Sequence, residues 1–130
     1  MLGFSYKYFS TQGGFFMPFI HTQTTVTLDK AKCDRLTASL NSITSSCLGK
    51  GESWIMTGYT DNANLYFQGN QNGDTAYVEV KLFGTPNPAA CDKMTGEVCS
   101  LYEKELGIPQ NRIYVSYYPT GTWGWNGSNF

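Results

Sequence analysis

The sequence predicts an α+β fold in which two β-α-β repeats form one four-stranded sheet with both helices on one face. Three observations carry that prediction. Shifting the chain by 58 residues against itself brings like onto like without a gap: Ile20 onto Val78, Cys33 onto Cys91, Leu36 onto Met94, Leu40 onto Val98, Leu48-Gly49 onto Leu106-Gly107 and Tyr59 onto Tyr117. Such register over a whole unit indicates two copies of one supersecondary element. Each copy also holds one stretch with helical apolar spacing, flanked by runs with strand character. Finally, a chain of 130 residues is 41% apolar, and its eight Phe, nine Tyr and three Trp outnumber its nine basic and ten acidic residues. That is one domain with a real core, and it excludes a disordered chain.

In the first copy, Phe19 to Val26 is β-branched and threonine-rich and reads as a strand. Thr27 or Asp29 can cap the helix that follows, whose apolar residues are Leu28, Cys33, Leu36, Leu40, Ile43, Cys47 and Leu48. Gly49 is placed to end it in a left-handed turn, and Trp54 to Thr60 is the second strand. The second copy has sharper punctuation. Thr75 to Phe83 alternates as a strand, Asn87 caps, and Pro88 suits the first helical turn. Ala90, Met94, Val98, Leu101 and Tyr102 form the stripe. Gly96 in mid-helix costs about 1 kcal/mol relative to alanine, which packing is expected to cover. Gly107 and Pro109 stop the helix, and Arg112 to Tyr118 is the last strand of the repeat. Two such units related by a pseudo-twofold axis place both helices on one side of the sheet. The other face is then bare, which together with the sparse charge predicts an oligomer.

A formal net charge of -1 excludes binding driven by a general basic field, so nucleic acid is not an expected partner. No apolar run reaches the roughly 18–20 residues of a membrane helix, so no membrane insertion is expected. Cys33, Cys47, Cys91 and Cys99 form no CxxC pair and His21 is the single histidine, so neither zinc nor any other cofactor is expected. Cys33 and Cys47 share one helix face but lie roughly 21 Å apart along it, beyond disulfide reach. The thiols read as small buried side chains in a reducing compartment; a Cys33–Cys91 bridge has no support in the sequence. The first sixteen residues carry six aromatics and one charge, Lys7, and polar residues interrupt any apolar stretch, unlike a signal peptide. Either residues 1–17 are a genuine N-terminal extension, retained or removed, or translation truly begins at Met17.

Pro18 opening a strand, Leu48-Gly49-Lys50 ending the first helix, Arg112-Ile113-Tyr114-Val115 as the last strand of the repeat, and the terminal Gly124-Trp125-Asn126-Gly127-Ser128-Asn129-Phe130 together resemble the macrophage migration inhibitory factor (MIF) and tautomerase superfamily. The resemblance runs from Met17 to Phe130, so the domain is 18–130. It implies a homotrimer whose sheets form a central barrel. It also implies keto–enol tautomerism of the phenylpyruvate or dopachrome type, acting on small aromatic α-keto acids. Pro18 would be the catalytic base once its nitrogen is the chain terminus. Lys50 would be the nearby cation and hold the substrate carboxylate together with the backbone N–H of Phe83. Tyr114, Ser116 and Trp125 would come from a neighbouring subunit.

The sequence departs from the family pattern at Ser116, where asparagine is usual, at Trp123, where an aliphatic residue is usual, and at Gly51, where proline commonly follows the lysine. The Cys-x-x-Cys of the mammalian cytokine is Thr75-Ala76-Tyr77-Val78 here, so no thiol-reductase activity is expected. The Asn126-Gly127-Ser128 sequon, inside the family's terminal motif, is not expected to be glycosylated. The resemblance leaves a second reading open: a MIF-like cytokine or signalling protein with a cell-surface receptor, whose catalysis is vestigial or absent because residues 1–17 block Pro18. The expected location is the cytoplasm, with secretion by an unconventional route as the family implies.

Overall fold

A computed structural model describes residues 17–49 and 51–130. Strand β1 (Phe19–Thr24) leads into helix α1 (Lys30–Leu48), a 3-10 turn (Glu52–Trp54) and β2 (Met56–Thr60). Strand β3 (Ala76–Phe83) leads into α2 (Pro88–Leu106), a second 3-10 turn (Gln110–Arg112) and β4 (Ile113–Thr120), and a short hairpin of β5 (Gly124–Trp125) and β6 (Ser128–Asn129) follows. Helix onto helix and turn onto turn, the two units superpose residue for residue under the shift read from the sequence.

The caps explain the shared helix boundaries. Of the two candidate residues, Asp29 is the cap of α1, its carboxylate accepting from the Lys32 N–H at 2.8 Å. Asn87 caps α2 by accepting from the Ala89 N–H at 2.7 Å, with Pro88 in the first turn. Gly107 ends α2 in the left-handed region at φ 70° and ψ 19°. Gly49 ends α1 differently from the expected left-handed turn, at φ 123° and ψ -175°, still a conformation that favours glycine.

The sheet order is β2-β1-β3-β4. Strands β1 and β2 are parallel with Phe19 opposite Met56, and β3 and β4 are parallel with Tyr77 opposite Tyr114, the same register moved along by the repeat. Between the units β1 and β3 are antiparallel, with Ile20 opposite Val80 and Thr22 opposite Val78. The pseudo-twofold axis passes between these two central strands. Pro119 lacks an N–H for a further strand, and β4 is an edge where that is tolerated.

Alternation sets the two faces. Ile20, Thr22 and Thr24 of β1 and Val78, Val80 and Leu82 of β3 are fully buried against Leu36 and Leu40 of α1 and Met94, Val98 and Tyr102 of α2. Each buried aliphatic side chain contributes about 1.5–3 kcal/mol of transfer free energy. An exposed pair such as Lys30–Asp34, 3.0 Å apart, is worth about 0–1 kcal/mol, so the buried layer docks the helices. The opposite face carries Phe19, His21 and Gln23 beside Tyr77, Glu79 and Lys81, then Tyr114, Ser116 and Tyr118. No helix among the described residues covers it.

Several boundaries differ from expectation. Strand β1 stops at Thr24 rather than Val26, because the Thr24 hydroxyl donates to the Thr75 carbonyl at 2.8 Å and accepts from the Val26 N–H, turning the chain. Trp54 precedes β2, since its N–H closes onto the Gly51 carbonyl at 2.8 Å. All four cysteines are free thiols, but only Cys99 is buried; Cys33, Cys47 and Cys91 are half-buried. Burial raises every thiol pKa above its ordinary value. Among the described residues no cluster could hold a metal ion, and no helix is long and apolar enough to cross a membrane.

Candidate active site around Pro18

Parallel pairing in a β-α-β unit brings the chain just ahead of β2 beside the chain just ahead of β1. Accordingly the Met56 N–H donates to the Pro18 carbonyl at 2.9 Å, fixing the proline at the end of the sheet. The aromatic terminus folds back to the same end, the Phe130 N–H donating to the Trp123 carbonyl at 3.0 Å. Its hairpin turns through Asn126 and Gly127, both at positive φ (53° and 90°), as a two-residue connection requires. At Gly124 the Asn129 side chain comes close, its Oδ1 2.7 Å from where a Cβ would stand.

These elements enclose a cavity of about 220 Å³ lined by Met17, Pro18, Phe19, Trp54, Met56, Trp123, Gly124 and Trp125. The Trp54 and Trp125 rings meet edge to face at 4.8 Å. Trp125 stacks on Phe130 at 6.4 Å, and Phe130 leans on Phe83 at 5.6 Å. A hollow of about 670 Å³ runs along α2, but its wall of Asp92, Lys93, Glu97 and Lys104 suits water. The Pro18 cavity is apolar, and none of its described lining residues carries an ionisable side chain.

Of the residues singled out in the sequence, Pro18 and Trp125 come together directly. The resemblance assigns Trp125 to a neighbouring subunit; within the single chain the β5–β6 hairpin places it on the cavity of its own Pro18. Phe83 stands one ring behind, joined through Phe130, and ends β3 just before Gly84 at φ 94°. Tyr114 and Ser116 lie elsewhere. Phe19 pairs with Lys81 and Lys81 with Tyr118, so Tyr114 sits four residues along β4 from the row of Phe19. That is about 13 Å along the strand. The Tyr114 ring is 63% exposed. The Ser116 hydroxyl donates to the Tyr77 phenol at 2.9 Å, and the Tyr77 and Tyr118 phenols are 2.6 Å apart. Hydrogen bonds from Ser116 and Tyr77 hold the Tyr118 phenol below its ordinary pKa. Lys50 lies outside the described residues.

Trp54 and Met56 are lining residues that sequence reasoning missed. The signal was present in the repeat: the strand that begins two residues past Trp54 must start level with the strand that begins at Phe19.

Two β-α-β units in one mixed sheet, backed by two helices and opening on a proline in an aromatic pocket, define the tautomerase-superfamily fold. The family model for macrophage migration inhibitory factor matches residues 17–130, and the chain belongs to that family. It is similar to the macrophage migration inhibitory factor of Xenopus laevis, 28% identical over 116 residues that span 88% of this chain and 99% of that one. Among solved structures it is similar to Leishmania major MIF2, with 41% identity, a TM-score of 0.84, and coverage of 90% of this chain and 100% of that one. It is also similar to the homologue from Prochlorococcus marinus, with 35% identity, a TM-score of 0.77, and coverage of 86% and 98%.

Proposed function

We propose that the domain 18–130, freed at the Met17–Pro18 bond, is a keto–enol tautomerase of the phenylpyruvate or dopachrome type with the Pro18 amine as general base. The observation that carries this reading is the chemistry of the cavity: with no ionisable side chain among its described walls, a freed Pro18 nitrogen is the proton acceptor they offer.

An apolar pocket disfavours the ammonium form and lowers the amine pKa toward neutrality. The neutral amine takes the proton from the carbon next to the keto group, the electron pair moves into the enolate, and the ammonium returns the proton to the oxygen. The Trp54 and Trp125 rings provide walls for an aromatic substituent. Lys50 and the Phe83 N–H hold the substrate carboxylate in this reading, and Lys50 further lowers the amine pKa. The remoteness of Tyr114 and Ser116 from their own Pro18 supports a homotrimer in which a neighbouring copy supplies them. No cofactor takes part. In this reading the protein acts in the cytoplasm and leaves cells by an unconventional route.

Replacing the base tests the reading. Pro18→Gly should remove phenylpyruvate enolisation while sedimentation still reports a trimer; undiminished turnover would overturn the assignment. A second reading has one observation in its favour. Met17 is buried and itself lines the cavity, so a chain that keeps residues 1–17 has an amide at Pro18 and a methionine on the wall of the site. That form would serve as a signalling protein for a cell-surface receptor, and its cell-surface binding should survive Pro18→Gly.

A further inference from the structure

The loop between β2 and β3 contains a tight turn that the proposed reaction does not use. Phe67 and Asn70 exchange backbone hydrogen bonds of 2.9 and 3.1 Å across Gln68 and Gly69, at φ 53° and 77°, the geometry of a two-residue hairpin turn. Arg112, the residue just before β4, fastens this turn. Its guanidinium donates to the Asp74 carbonyl (3.1 Å), the Gly73 carbonyl (3.2 Å), and the Asn70 side-chain and backbone oxygens (3.3 and 3.4 Å). The same guanidinium lies over the Phe67 ring at 5.5 Å. Phe67 in turn meets Tyr114 edge to face, centroids 5.2 Å apart at 67°.

A rigid fork, a clamped ring and an exposed tyrosine therefore stand in sequence. An exposed tyrosine on an edge strand otherwise exchanges rotamers freely. We infer that Phe67, clamped by Arg112, is a positioning residue that holds the Tyr114 ring in the orientation needed at the active site of a neighbouring copy. The inference rests on the proposed role of Tyr114 in that site. Through it, the β2–β3 loop of one subunit sets the substrate affinity of the next.

The test uses the full chain and, alongside it, the form that begins at Pro18. With tyrosine rings labelled with 13C and the Tyr114 signal assigned from Tyr114→Phe, Phe67→Ala should shift and broaden that signal, and Phe67→Tyr should restore it. An unchanged Tyr114 signal in Phe67→Ala overturns the inference. In kinetics with phenylpyruvate, Phe67→Ala should lower kcat/KM roughly 2- to 10-fold, chiefly through KM, with recovery in Phe67→Tyr. The double variant with Tyr114→Ala should match Tyr114→Ala alone. Additive losses overturn the inference. Turnover that is normal in Tyr114→Ala, or absent from every form, overturns the reading of the site instead, and the ring signal then still decides whether Phe67 orients Tyr114.

Discussion

The Tyr117 phenol lies 2.9 Å from the Thr95 hydroxyl, and one repeat earlier the Tyr59 phenol lies 2.7 Å from the hydroxyl of Thr37. Each pair ties a helix to the outer strand of its own unit, so the symmetry extends to half-buried polar contacts. Burial pushes the Tyr117 pKa up from 10.0 to about 12 and raises that of Tyr59, while Tyr102, bonded to the Thr22 hydroxyl in the core, is raised further.

Alkaline lability follows from these tyrosines. In the unfolded chain their phenols lose protons near pH 10, while Tyr117 in the fold keeps its proton to about pH 12. Between those values the unfolded state binds fewer protons, so the stability present below pH 10 is lost as pH rises toward 12. Urea unfolding should give a free energy that starts to fall above about pH 8, where the thiols of the unfolded chain ionise before the raised thiols of the fold, and that falls more steeply above 10. Tyr117→Phe should lower stability at neutral pH by about 1 kcal/mol through its lost hydrogen bonds and make the alkaline slope shallower. An unaltered slope would show that Tyr117 ionises in the fold as readily as in the unfolded chain.

Much of this fold was legible because the repeat constrains everything twice. Asn87 and Pro88 mark one helix start clearly, and the shift transfers that boundary to the less clearly marked Asp29. Two-residue strands such as Gly124–Trp125 have no periodicity to read, so the hairpin that returns Trp125 to its own Pro18 was invisible. Trp54 reads as strand from its aromatic character, but a local bond to Gly51 overrides propensity there. Phe67 was beyond reach for another reason. Its significance depends on four acceptors converging on Arg112 from loop residues with no pattern of their own.

From the sequence, packing is expected to cover the mid-helix cost of Gly96. A Cβ at that position meets nothing within 4 Å, and the backbone there is not in the left-handed region. Nothing in the structure requires the glycine. Gly96→Ala should therefore stabilise the protein by about 0.5–1 kcal/mol, read as a melting temperature a few degrees higher. A lower melting temperature would mean that a partner surface presses against this face of α2.

Trp123 narrows the cavity where the family pattern has an aliphatic residue. Trp123→Val should admit bulkier rings, raising the kcat/KM ratio of a naphthyl over a phenyl α-keto acid roughly 10-fold. The hairpin should persist, because its turn is set by Asn126 and Gly127 and its closing bond joins the backbones of Phe130 and Trp123. An unchanged ratio, with the melting curve also unchanged, would remove Trp123 from the substrate's path.

The bond between Met17 and Pro18 decides whether the chemistry exists at all. While it is intact, the Pro18 lone pair is delocalised into the carbonyl of Met17, and the nitrogen accepts no proton near neutral pH. The buried Met17 side chain also occupies the wall against which a substrate would rest. Cutting the bond and losing Met17 changes both conditions at once: it creates a secondary amine and widens the cavity. The form beginning at Pro18 should exceed the full chain in phenylpyruvate turnover by at least the roughly 100- to 10,000-fold that a positioned base supplies. Its kcat/KM should fall with acidification through the amine pKa, since only the neutral amine is a base. Intact mass of the protein from its own source, measured beside these kinetics, tells which form the cell makes. Equal turnover by a full chain of verified mass would mean that a residue other than Pro18 moves the proton.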